Sequence, residues 1–413
     1  MSARDRVAYL EQMCRLLWPA PADVAFTSSR AISTRPKTGD TALLVLPGLG
    51  SPRLLVPPER RAGSAALRRY GEPGSVRSKL ATRALSVTMA TGLGGLVLPD
   101  RLLVRVPAGA QTIDSYLSSV FGHRVLISMH IGAARANRKP VLQLLTPAGQ
   151  TVGFAKVGHN PLTSALVRAE HDALSRLGAA GLSHLQAPRV LGFSSWRGME
   201  VLVLSPLPVW QKRTPLRPGQ LAKAVAEVAA VSGLRHSPLA DSQYWQTLMA
   251  RLEETRDAGA LRAAIEELAT LAGTTVLAFG SWHGDLTPWN MASTRAGLLV
   301  WDWERFTAGV PAGFDALHCW LQTQVISGGR DPARTAVECL QRAPALLEPL
   351  GVAPAQASVT ALLYLADLSL RYLADRQDQA GARLGAPRRW LLPALTAGIT
   401  ALPTSSSQSP EPR

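Results

Sequence analysis

The sequence predicts an α+β protein made of three consecutive sections, and the order of apolar runs and helical patterns along the chain supports this prediction. Residues 1–110 mix both kinds of pattern, residues 111–207 are rich in strand candidates, and residues 208–402 are mostly helical. With 413 residues, 46% of them hydrophobic, the chain is long enough for two or three domains with sizeable cores.

The first section, residues 1–110, alternates apolar runs, turns and helical patterns but carries no recognisable chemical motif. Pro47-Gly48-Leu49-Gly50 predicts a turn between two of its apolar runs. We therefore predict a small α+β domain of unknown role. Its elements are the apolar runs Ala42 to Pro47 and Arg53 to Pro57, the helices Arg60 to Tyr70 and Val76 to Thr91, and the strand Arg101 to Val106.

The second section, residues 111–207, carries most of the strand signals. Pro147-Ala148-Gly149-Gln150 is a hairpin turn, and apolar residues recur at helical spacing from Leu162 to Leu177. The predicted order is helix, three strands, helix and two strands: Thr112 to Phe121, Val125 to Ile131, Val141 to Thr146, Thr151 to Val157, Leu162 to Leu177, Arg189 to Phe193 and Glu200 to Leu204.

The third section, residues 208–402, is predicted to be helical except for two short apolar runs, Thr275 to Phe279 and Gly297 to Trp301. The last helix contains Pro393, so it is expected to kink or to begin later. Residues 403–413 are rich in serine and proline and are predicted to be a disordered tail. The helices are Ala222 to Ser232, Tyr244 to Thr255, Ala260 to Leu271, Ala316 to Ile326, Asp331 to Arg342, Val359 to Ala374 and Arg388 to Thr400.

The net charge of +15 raises the question of a nucleic-acid partner, but the distribution of the charge argues against one. Only six of the 44 basic residues are lysines, and the arginines are spread along the chain without interleaved aromatic residues. The densest cluster, Arg60 to Lys79, fits a solvated helix face better. The cysteines have neither a disulfide nor a metal-ligand spacing; they are Cys14, Cys319 and Cys339.

The chain shows no membrane-spanning or signal segment. The most apolar stretch, between Arg83 and Asp100, is too short for a bilayer and is interrupted by glycines and Pro99. The first residues lack the apolar core of a signal peptide. We therefore expect a cytoplasmic protein without a membrane partner, whose oligomeric state the sequence leaves open.

The stretch from His283 to Asn290, HGDLTPWN, contains residue types that phosphoryl transfer needs. Transfer requires a carboxylate at the acceptor hydroxyl, oxygen ligands for Mg²⁺ and a cation on the donor phosphates. Asp285 lies five residues before Asn290, so its carboxylate can face an acceptor while the amide faces a metal. A hairpin turning at Arg295-Ala296-Gly297 would bring Asn290 and Asp302 to one cation, and oxygen ligands suit Mg²⁺. A chance surface turn containing HGD is the alternative.

This pattern resembles the aminoglycoside phosphotransferase and choline kinase group of the protein-kinase-like superfamily. The match consists of His-Gly-Asp-x-x-x-x-Asn followed by the aspartate of LVWDWERF. The resemblance extends over about Val125 to Leu392. It implies a two-lobe fold, with a small strand-rich lobe at residues 111–207 and a large helical lobe at 208–402. It also implies ATP- and Mg²⁺-dependent transfer of phosphate to a hydroxyl.

The resemblance assigns roles to the motif residues. Asp285 would be the catalytic base, Asn290 and Asp302 the Mg²⁺ ligands, and His283 a support for the loop through hydrogen bonds. Family members also carry an aspartate that opens a helix soon after the hairpin, which Asp315 matches. Its expected role is structural, either as a helix N-cap or as a brace for the catalytic loop.

The resemblance also predicts a strand lysine and a helix glutamate in the small lobe. Lys156 lies in the third strand and Glu170 follows fourteen residues later on the next helix. Lys156 would bind the ATP phosphates and Glu170 would orient it. A lysine on a buried strand needs such a partner or ligand. A solvated edge-strand lysine and a solvent-facing glutamate are the alternatives.

The phosphate loop departs from the protein-kinase pattern of three glycines. Ile131 to Lys139 keeps one glycine, so fewer backbone N–H groups can approach a phosphate freely. We expect the side chains of Arg135, Asn137 and Arg138 to donate hydrogen bonds to the phosphates instead.

The segment Leu204-Ser205-Pro206-Leu207-Pro208 joins the two predicted lobes, and by position its backbone would bind the adenine edge. Proline has no N–H, so either Ser205 or Leu207 would supply the donor.

The acceptor is the least determined part of the prediction. Kinases of polycationic aminoglycosides have acidic pockets, so the charge of +15 favours a neutral or anionic hydroxylated acceptor. A sugar, an amino alcohol and an antibiotic-like compound all stay open. Aromatic faces stack on sugars and on cations, which makes Trp289, on the catalytic loop, the candidate for acceptor contact. Trp301 is expected to pack in the core.

Three functions compete at this point. The residues Asp285, Asn290, Asp302 and Lys156 favour an active small-molecule kinase. The degenerate glycine loop and the extra N-terminal section motivate a kinase-like module that binds a nucleotide or partner without transferring phosphate. Only the charge supports a nucleic-acid-associated protein.

Overall fold

The computed structural model describes residues 3–28, 40–70, 76–132, 137–217, 219–375 and 386–402. Arg135 and the predicted disordered tail, residues 403–413, lie outside the described residues. The chain divides into two compact units. The first comprises Met1–His171 with Pro188–Trp210, and the second comprises Asp172–Ala187 with Gln211–Arg413.

The predicted helices and strands are present in the predicted order, with their ends shifted by a few residues. Other elements were not predicted: the helices Ala3–Leu17 and Gly94–Val97 and the strands Asp23–Ser28, Leu185–Gln186, Arg235–Pro238 and Thr307–Pro311. The strands are β1 (Asp23–Ser28), β2 (Thr41–Leu46), β3 (Leu54–Val56), β4 (Asp100–Arg105), β5 (Leu126–His130), β6 (Val141–Leu145), β7 (Thr151–Gly158), β8 (Leu185–Gln186), β9 (Val190–Trp196), β10 (Met199–Leu204), β11 (Arg235–Pro238), β12 (Val276–Trp282), β13 (Met291–Thr294), β14 (Gly297–Val300) and β15 (Thr307–Pro311). The helices are α1 (Ala3–Leu17), α2 (Arg60–Tyr70), α3 (Val76–Thr91), α4 (Gly94–Val97), α5 (Ile113–Phe121), α6 (Pro161–Ala180), α7 (Gln220–Ala230), α8 (Gln243–Glu254), α9 (Gly259–Ala272), α10 (Phe314–Gln322), α11 (Pro332–Leu347), α12 (Pro354–Ala374) and α13 (Leu391–Thr400).

The first unit is built on a nine-stranded sheet in the order β1-β4-β2-β3-β5-β6-β7-β10-β9. The N-terminal strands and those after residue 125 belong to this one sheet, because β3 pairs antiparallel with β5 through Leu54↔His130 and Leu55↔Met129. The predicted boundary near residue 110 therefore does not separate two sheets. An unpaired edge at β5 would expose backbone N–H and C=O groups, and β3 satisfies them.

Alternating side chains of β2 show how the sheet is covered on both faces. Leu43 and Val45 pack with the buried residues of α1, whereas Leu44 and Leu46 pack with those of α2 and α3. Burial of each such side chain stabilises the fold by about 1.5–3 kcal/mol. Helix α1 was not predicted, although its buried residues recur at helical spacing: Tyr9, Leu10, Met13, Cys14 and Leu17.

The second unit contains the long helices and two three-stranded sheets, β11-β12-β15 and β13-β14-β8. Its central helix, α12, contacts α9, α10, α11 and α13 and is buried along most of its length. Helix α13 begins at Leu391, later than the predicted Arg388, as Pro393 led us to expect. Among the described residues no single helix is long and apolar enough to cross a bilayer; Pro332–Leu350 and Pro354–Ala374 meet that test only as a pair bent by 117°.

The stretch Asp172–Ala187 belongs to the second unit, although the sequence placed it in the strand-rich section. Strand β8 pairs parallel with β14, and the Glu227 carboxylate on α7 accepts backbone N–H groups just before β8. The donors are Ser183, His184 at 2.9 Å and Leu185 at 3.2 Å. Burial raises the pKa of Glu227, but the hydrogen bonds from Ser183 and His184 outweigh it and hold this pKa below the ordinary value of 4.5.

Replacing Glu227 with alanine should therefore destabilise the second unit by about 0.5–1.5 kcal/mol, because three backbone donors exchange a charged acceptor, in part, for water. The depressed pKa means that this stabilisation is present above pH 4.5 and is lost as the pH falls through the lower folded-state pKa. Urea unfolding at pH 7 and at pH 3.5 measures both effects. Glu254→Ala, at an exposed position of α8, is the control. Equal stability of Glu227→Ala and Glu254→Ala at pH 7 would contradict the assignment.

Candidate active site

The HGD segment leaves the end of β12 and turns sharply at Gly284. Gly284 has φ +82°, and a Cβ at this position would lie 2.3 Å from the backbone oxygen of Arg305. Both the left-handed backbone and the close approach require glycine. The end of β12 and this turn therefore determine the backbone position of Asp285.

The carboxylate of Asp285 is hydrogen-bonded on both of its oxygens. Its Oδ2 accepts from the Asn290 amide nitrogen at 2.9 Å, and its Oδ1 lies 3.1 Å from Nε2 of His318. The side chain is still 38% exposed. Burial raises the pKa of Asp285, but the hydrogen bond from His318 and the positive charge of Arg371 outweigh it and lower this pKa below its usual value. Asp285 is therefore an ionised acceptor that solvent can reach.

The predicted hairpin joins Asn290 to Asp302. Met291 of β13 is paired with Val300 of β14, and the Trp301 N–H donates to the Asn290 carbonyl at 3.0 Å. This register places Asn290 and Asp302 at the same end of the hairpin. Asn290 uses its amide nitrogen for the carbonyl and the carboxylate of Asp285, so its Oδ1 is the oxygen that a cation would bind. An amide and a carboxylate oxygen at one end of a hairpin fit Mg²⁺.

His283 is fully buried and connects the loop to the hairpin. Its Nδ1 accepts the backbone N–H of Asp285 at 3.1 Å, so the proton is on Nε2, which donates to the Trp301 carbonyl at 3.1 Å. Burial lowers the pKa of His283 to about 4, which agrees with a neutral ring. The loop and the strand that carries Asp302 are thus tied through one imidazole.

Asp315 holds the same loop from α10. Its carboxylate accepts the backbone N–H groups of His283 at 2.7 Å and of Gly284 at 3.2 Å. The N-cap of α10 is Gly313, so of the two expected structural roles the geometry shows the brace. Burial raises the pKa of Asp315 to about 7.

Three residues around the loop were missed by the sequence analysis. His318 contacts the Asp285 carboxylate, Tyr364 contacts His318, and the Arg371 guanidinium donates to the Gly284 carbonyl. His318 lies within the predicted helix Ala316 to Ile326, where it follows Asp315 by three residues and so shares its face of α10. Tyr364 and Arg371 are seven residues apart on α12, again on one face. Polar residues at helical spacing in apolar helices were the available signal.

Lys156 and Glu170 form a buried ion pair in the first unit. Lys156 Nζ lies 2.7 Å from Oε1 and 2.6 Å from Oε2 of Glu170, and the two residues are 8% and 0% exposed. Strand β7 lies between β6 and β10, where Lys156 is paired with Val141 and Leu202. The alternatives of a solvated edge-strand lysine and a solvent-facing glutamate are therefore wrong.

Of the two residues predicted to donate a backbone N–H to adenine, Ser205 already uses its N–H within the fold. The Ser205 N–H donates to the Arg189 carbonyl at 2.8 Å, and the Ser205 hydroxyl accepts the Arg189 N–H at 2.9 Å. Ser205 therefore continues the pairing of β10 with β9, and its N–H is not available to adenine. Leu207 is left as the candidate.

The phosphate-loop residues are only partly described. Arg135 lies outside the described residues, and Asn137 is half-buried in a turn. The Arg138 guanidinium stacks over the Tyr9 ring of α1, 3.4 Å from its centroid. Arg138 is thus engaged by the N-terminal helix, a contact that the sequence did not indicate.

The tryptophans near the motif divide by exposure. Trp282 and Trp303 are buried, Trp301 is half-buried, and Trp289 is 38% exposed. Of these four side chains, Trp289 is therefore the one most open to solvent.

The sequence pattern of the APH family, described as the phosphotransferase enzyme family, matches residues 141–349. Because this is about half of the chain, the chain belongs to that family. Membership confirms the resemblance inferred from the motif. Together with the strand-rich first unit and the helical second unit, it confirms the predicted kinase-like fold. No curated protein sequence matches the chain.

The solved structures that match the chain are distant in sequence. An apo thermostable mutant of aminoglycoside phosphotransferase APH(4)-Ia is 14% identical with a TM-score of 0.45, covering 70% of this chain and 98% of that chain. Spectinomycin phosphotransferase APH(9)-Ia, in complex with ADP and spectinomycin, is 14% identical with a TM-score of 0.39, covering 71% and 99%. A choline/ethanolamine kinase family protein from Mesorhizobium loti is 14% identical with a TM-score of 0.37, covering 66% and 86%.

The buried neutral state of His283 should make an acid-sensitive contribution to the stability of the fold, opposite in sign to that of Asp315, whose pKa is raised. Its pKa falls from 6.5 to about 4 on folding, so the unfolded chain binds the proton first and stability is lost as the pH falls from 6.5 towards 4. Between pH 7 and pH 5 this loss amounts to about 2 kcal/mol. Urea unfolding of wild type and His283→Gln at both pH values measures it.

The variant should lose less stability than wild type on acidification, whatever its stability at pH 7. His236→Gln, at an exposed position of β11, is the matched control. The same pH dependence in wild type and His283→Gln would show that this ring is not neutral and buried.

Proposed function

We propose that this phosphotransferase-family chain transfers the γ-phosphate of ATP to a hydroxyl group of a small molecule in the presence of Mg²⁺. The observation that carries the proposal is the Asp285 carboxylate, which is ionised, accessible and held on both oxygens at the end of β12. A carboxylate in this state can accept the hydrogen of an acceptor hydroxyl as its oxygen attacks phosphorus.

Asn290 and Asp302 are the proposed Mg²⁺ ligands. The hairpin register brings them to one end of β13 and β14, and the Asn290 amide nitrogen is already committed to Asp285. A bound Mg²⁺ would neutralise charge that develops on the transferred phosphate. Because Asn290 contacts Asp285 and would also hold the proposed metal, it would set the distance between the base and the phosphate.

Lys156 is the proposed donor to the ATP phosphates. Glu170 fixes its ammonium at 2.6–2.7 Å, so the side chain is ordered before a nucleotide binds. Preordering reduces the entropy lost on binding. Similar solved structures hold ADP, AMP-PNP or GDP, which supports a purine nucleotide, and ATP is the one that we propose. The N–H of Leu207 is the proposed adenine donor.

The proposed acceptor is a neutral or anionic compound with a free hydroxyl, such as a sugar. The charge of +15 disfavours a polycation, although solved relatives are complexes with hygromycin B and with spectinomycin. The exposed Trp289 ring, four residues after Asp285, offers a stacking face for a sugar. ADP release from ATP and Mg²⁺ with a panel of sugars, amino alcohols and aminoglycosides would identify the class. ATP binding without turnover on any acceptor would favour the non-catalytic module.

Asp285→Asn should lower kcat by about 10²–10⁴-fold while ATP binding stays within about twofold, because the amide cannot accept a proton. Coupled ADP release measures turnover, and calorimetric titration with ATP measures binding. Asp241→Asn, at an exposed position before α8, is the matched control. Equal turnover of wild type and Asp285→Asn would rule out Asp285 as the base.

Lys156→Met should weaken ATP binding by about 10- to 100-fold, which corresponds to a charge-assisted hydrogen bond of about 1.5–3 kcal/mol. It also leaves Glu170 as a buried uncompensated charge, which costs about 3–5 kcal/mol of stability. The double variant Lys156→Met with Glu170→Met should recover much of the stability without recovering ATP binding. Thermal unfolding and ATP titration separate the two effects, with exposed Lys223→Met as the control. Restored ATP binding in the double variant would contradict the role of Lys156.

A further inference from the structure

Hydrogen bonds connect three polar residues, from Tyr364 in the core of the second unit through His318 to the candidate base Asp285. The Tyr364 hydroxyl lies 3.0 Å from Nδ1 of His318, and Nε2 of His318 lies 3.1 Å from Oδ1 of Asp285. Tyr364 and His318 are 0% and 1% exposed. The three residues come from α12, α10 and the HGD loop, so these hydrogen bonds form only when the second unit is folded.

The donors and acceptors in this hydrogen-bond series determine which ring nitrogen of His318 carries the hydrogen. An ionised carboxylate only accepts, so Nε2 of His318 must carry a hydrogen. In a neutral ring Nδ1 is then an acceptor, and the Tyr364 hydroxyl donates to it. Burial lowers the pKa of His318, and burial raises the pKa of Tyr364 well above its usual value. Both directions agree with a neutral imidazole and a protonated phenol.

We propose that His318 is a positioning residue of the phosphotransferase site, in which its Nε2–H orients the Asp285 carboxylate and the Tyr364 hydroxyl holds His318 in the tautomer that can do so. This inference rests on the proposed role of Asp285 as the base. Trp282 and Tyr364 meet the His318 ring edge-on, with centroids 6.2 Å and 6.0 Å away, and restrict its rotation.

The consequence for Asp285 is a carboxylate with a determined orientation. His318 holds Oδ1 and Asn290 holds Oδ2, and each carboxylate oxygen keeps a second lone pair for an incoming hydroxyl. Positioning of this kind affects the chemical step more than nucleotide binding, because a base displaced by about 1 Å can cost 10²-fold in rate. A His318–Tyr364 pair that served the core alone would leave kcat unaffected beyond its effect on folding.

Two substitutions of His318 separate positioning from packing. The amide nitrogen of glutamine reaches about as far as Nε2, whereas that of asparagine reaches only about as far as Nδ1. His318→Gln should therefore keep more of kcat than His318→Asn, which should lose about 10- to 100-fold. The KM for ATP should stay within about twofold in both, and Tyr364→Phe should lower kcat by less than His318→Asn. His236→Gln is the control, on the exposed face of β11. Equal loss of kcat in the glutamine and asparagine variants would overturn the proposal.

A spectroscopic test does not depend on turnover. In protein labelled with ¹⁵N-histidine, one of the eight rings should vanish from the spectrum of His318→Gln, which assigns it. That ring should be the neutral tautomer with its hydrogen on Nε2. Asp285→Ala removes the acceptor of Nε2 and should shift the ring towards the Nδ1–H tautomer.

An imidazolium, an Nδ1–H tautomer in wild type, or an unchanged ring in Asp285→Ala would refute the proposal. If no acceptor in the panel supports turnover, that result contradicts the proposed function but not the contact between His318 and Asp285. The tautomer measurement still decides whether His318 and Tyr364 hold Asp285.

Discussion

The backbone of the HGD loop is held by two polar side chains from helices that follow it in the chain. Asp315 on α10 accepts the N–H groups of His283 and Gly284, and Arg371 on α12 donates to the Gly284 carbonyl. Irregular backbone inside a protein needs such partners, because buried N–H and C=O groups cannot reach water. The position of Asp285, the tautomer of His283 and the contact with His318 all depend on a loop whose course is determined in this way.

The loop and the hairpin form one hydrogen-bonded assembly. His283 links Asp285 to Trp301, Asn290 links Asp285 to the start of β13, and the β13–β14 register carries the connection to Asp302. Polar groups buried together in this way strengthen one another when every member is satisfied. The proposed base and metal ligands are therefore connected by shared hydrogen bonds, so a substitution at one of them would alter the positions of the others.

The Lys156–Glu170 pair obeys the same physics in the first unit. Removing two charges from water is expensive, and an ion pair at this depth adds little net stability. Apolar residues can often replace such a pair at little cost in stability, so stability alone does not explain these residues. Their position on a central strand agrees with the proposed role in ligand binding. The N-terminal strands extend the sheet that carries this pair, and α1 covers one face of that sheet.

Local sequence patterns were enough to predict the order of most elements, the HGDLTPWN loop, the hairpin to Asp302 and the placement of Lys156 before Glu170, because these depend on periodicity, turn residues and short spacing. Long-range contacts could not be predicted in this way. The contacts of His318, Tyr364 and Arg371 with the loop, the β3–β5 pairing, the pairing of β8 with β14 and the commitment of the Ser205 N–H all join segments that lie far apart in the chain. Local patterns carry no information about which distant partner satisfies a polar group, since that choice is made when the helices and strands pack.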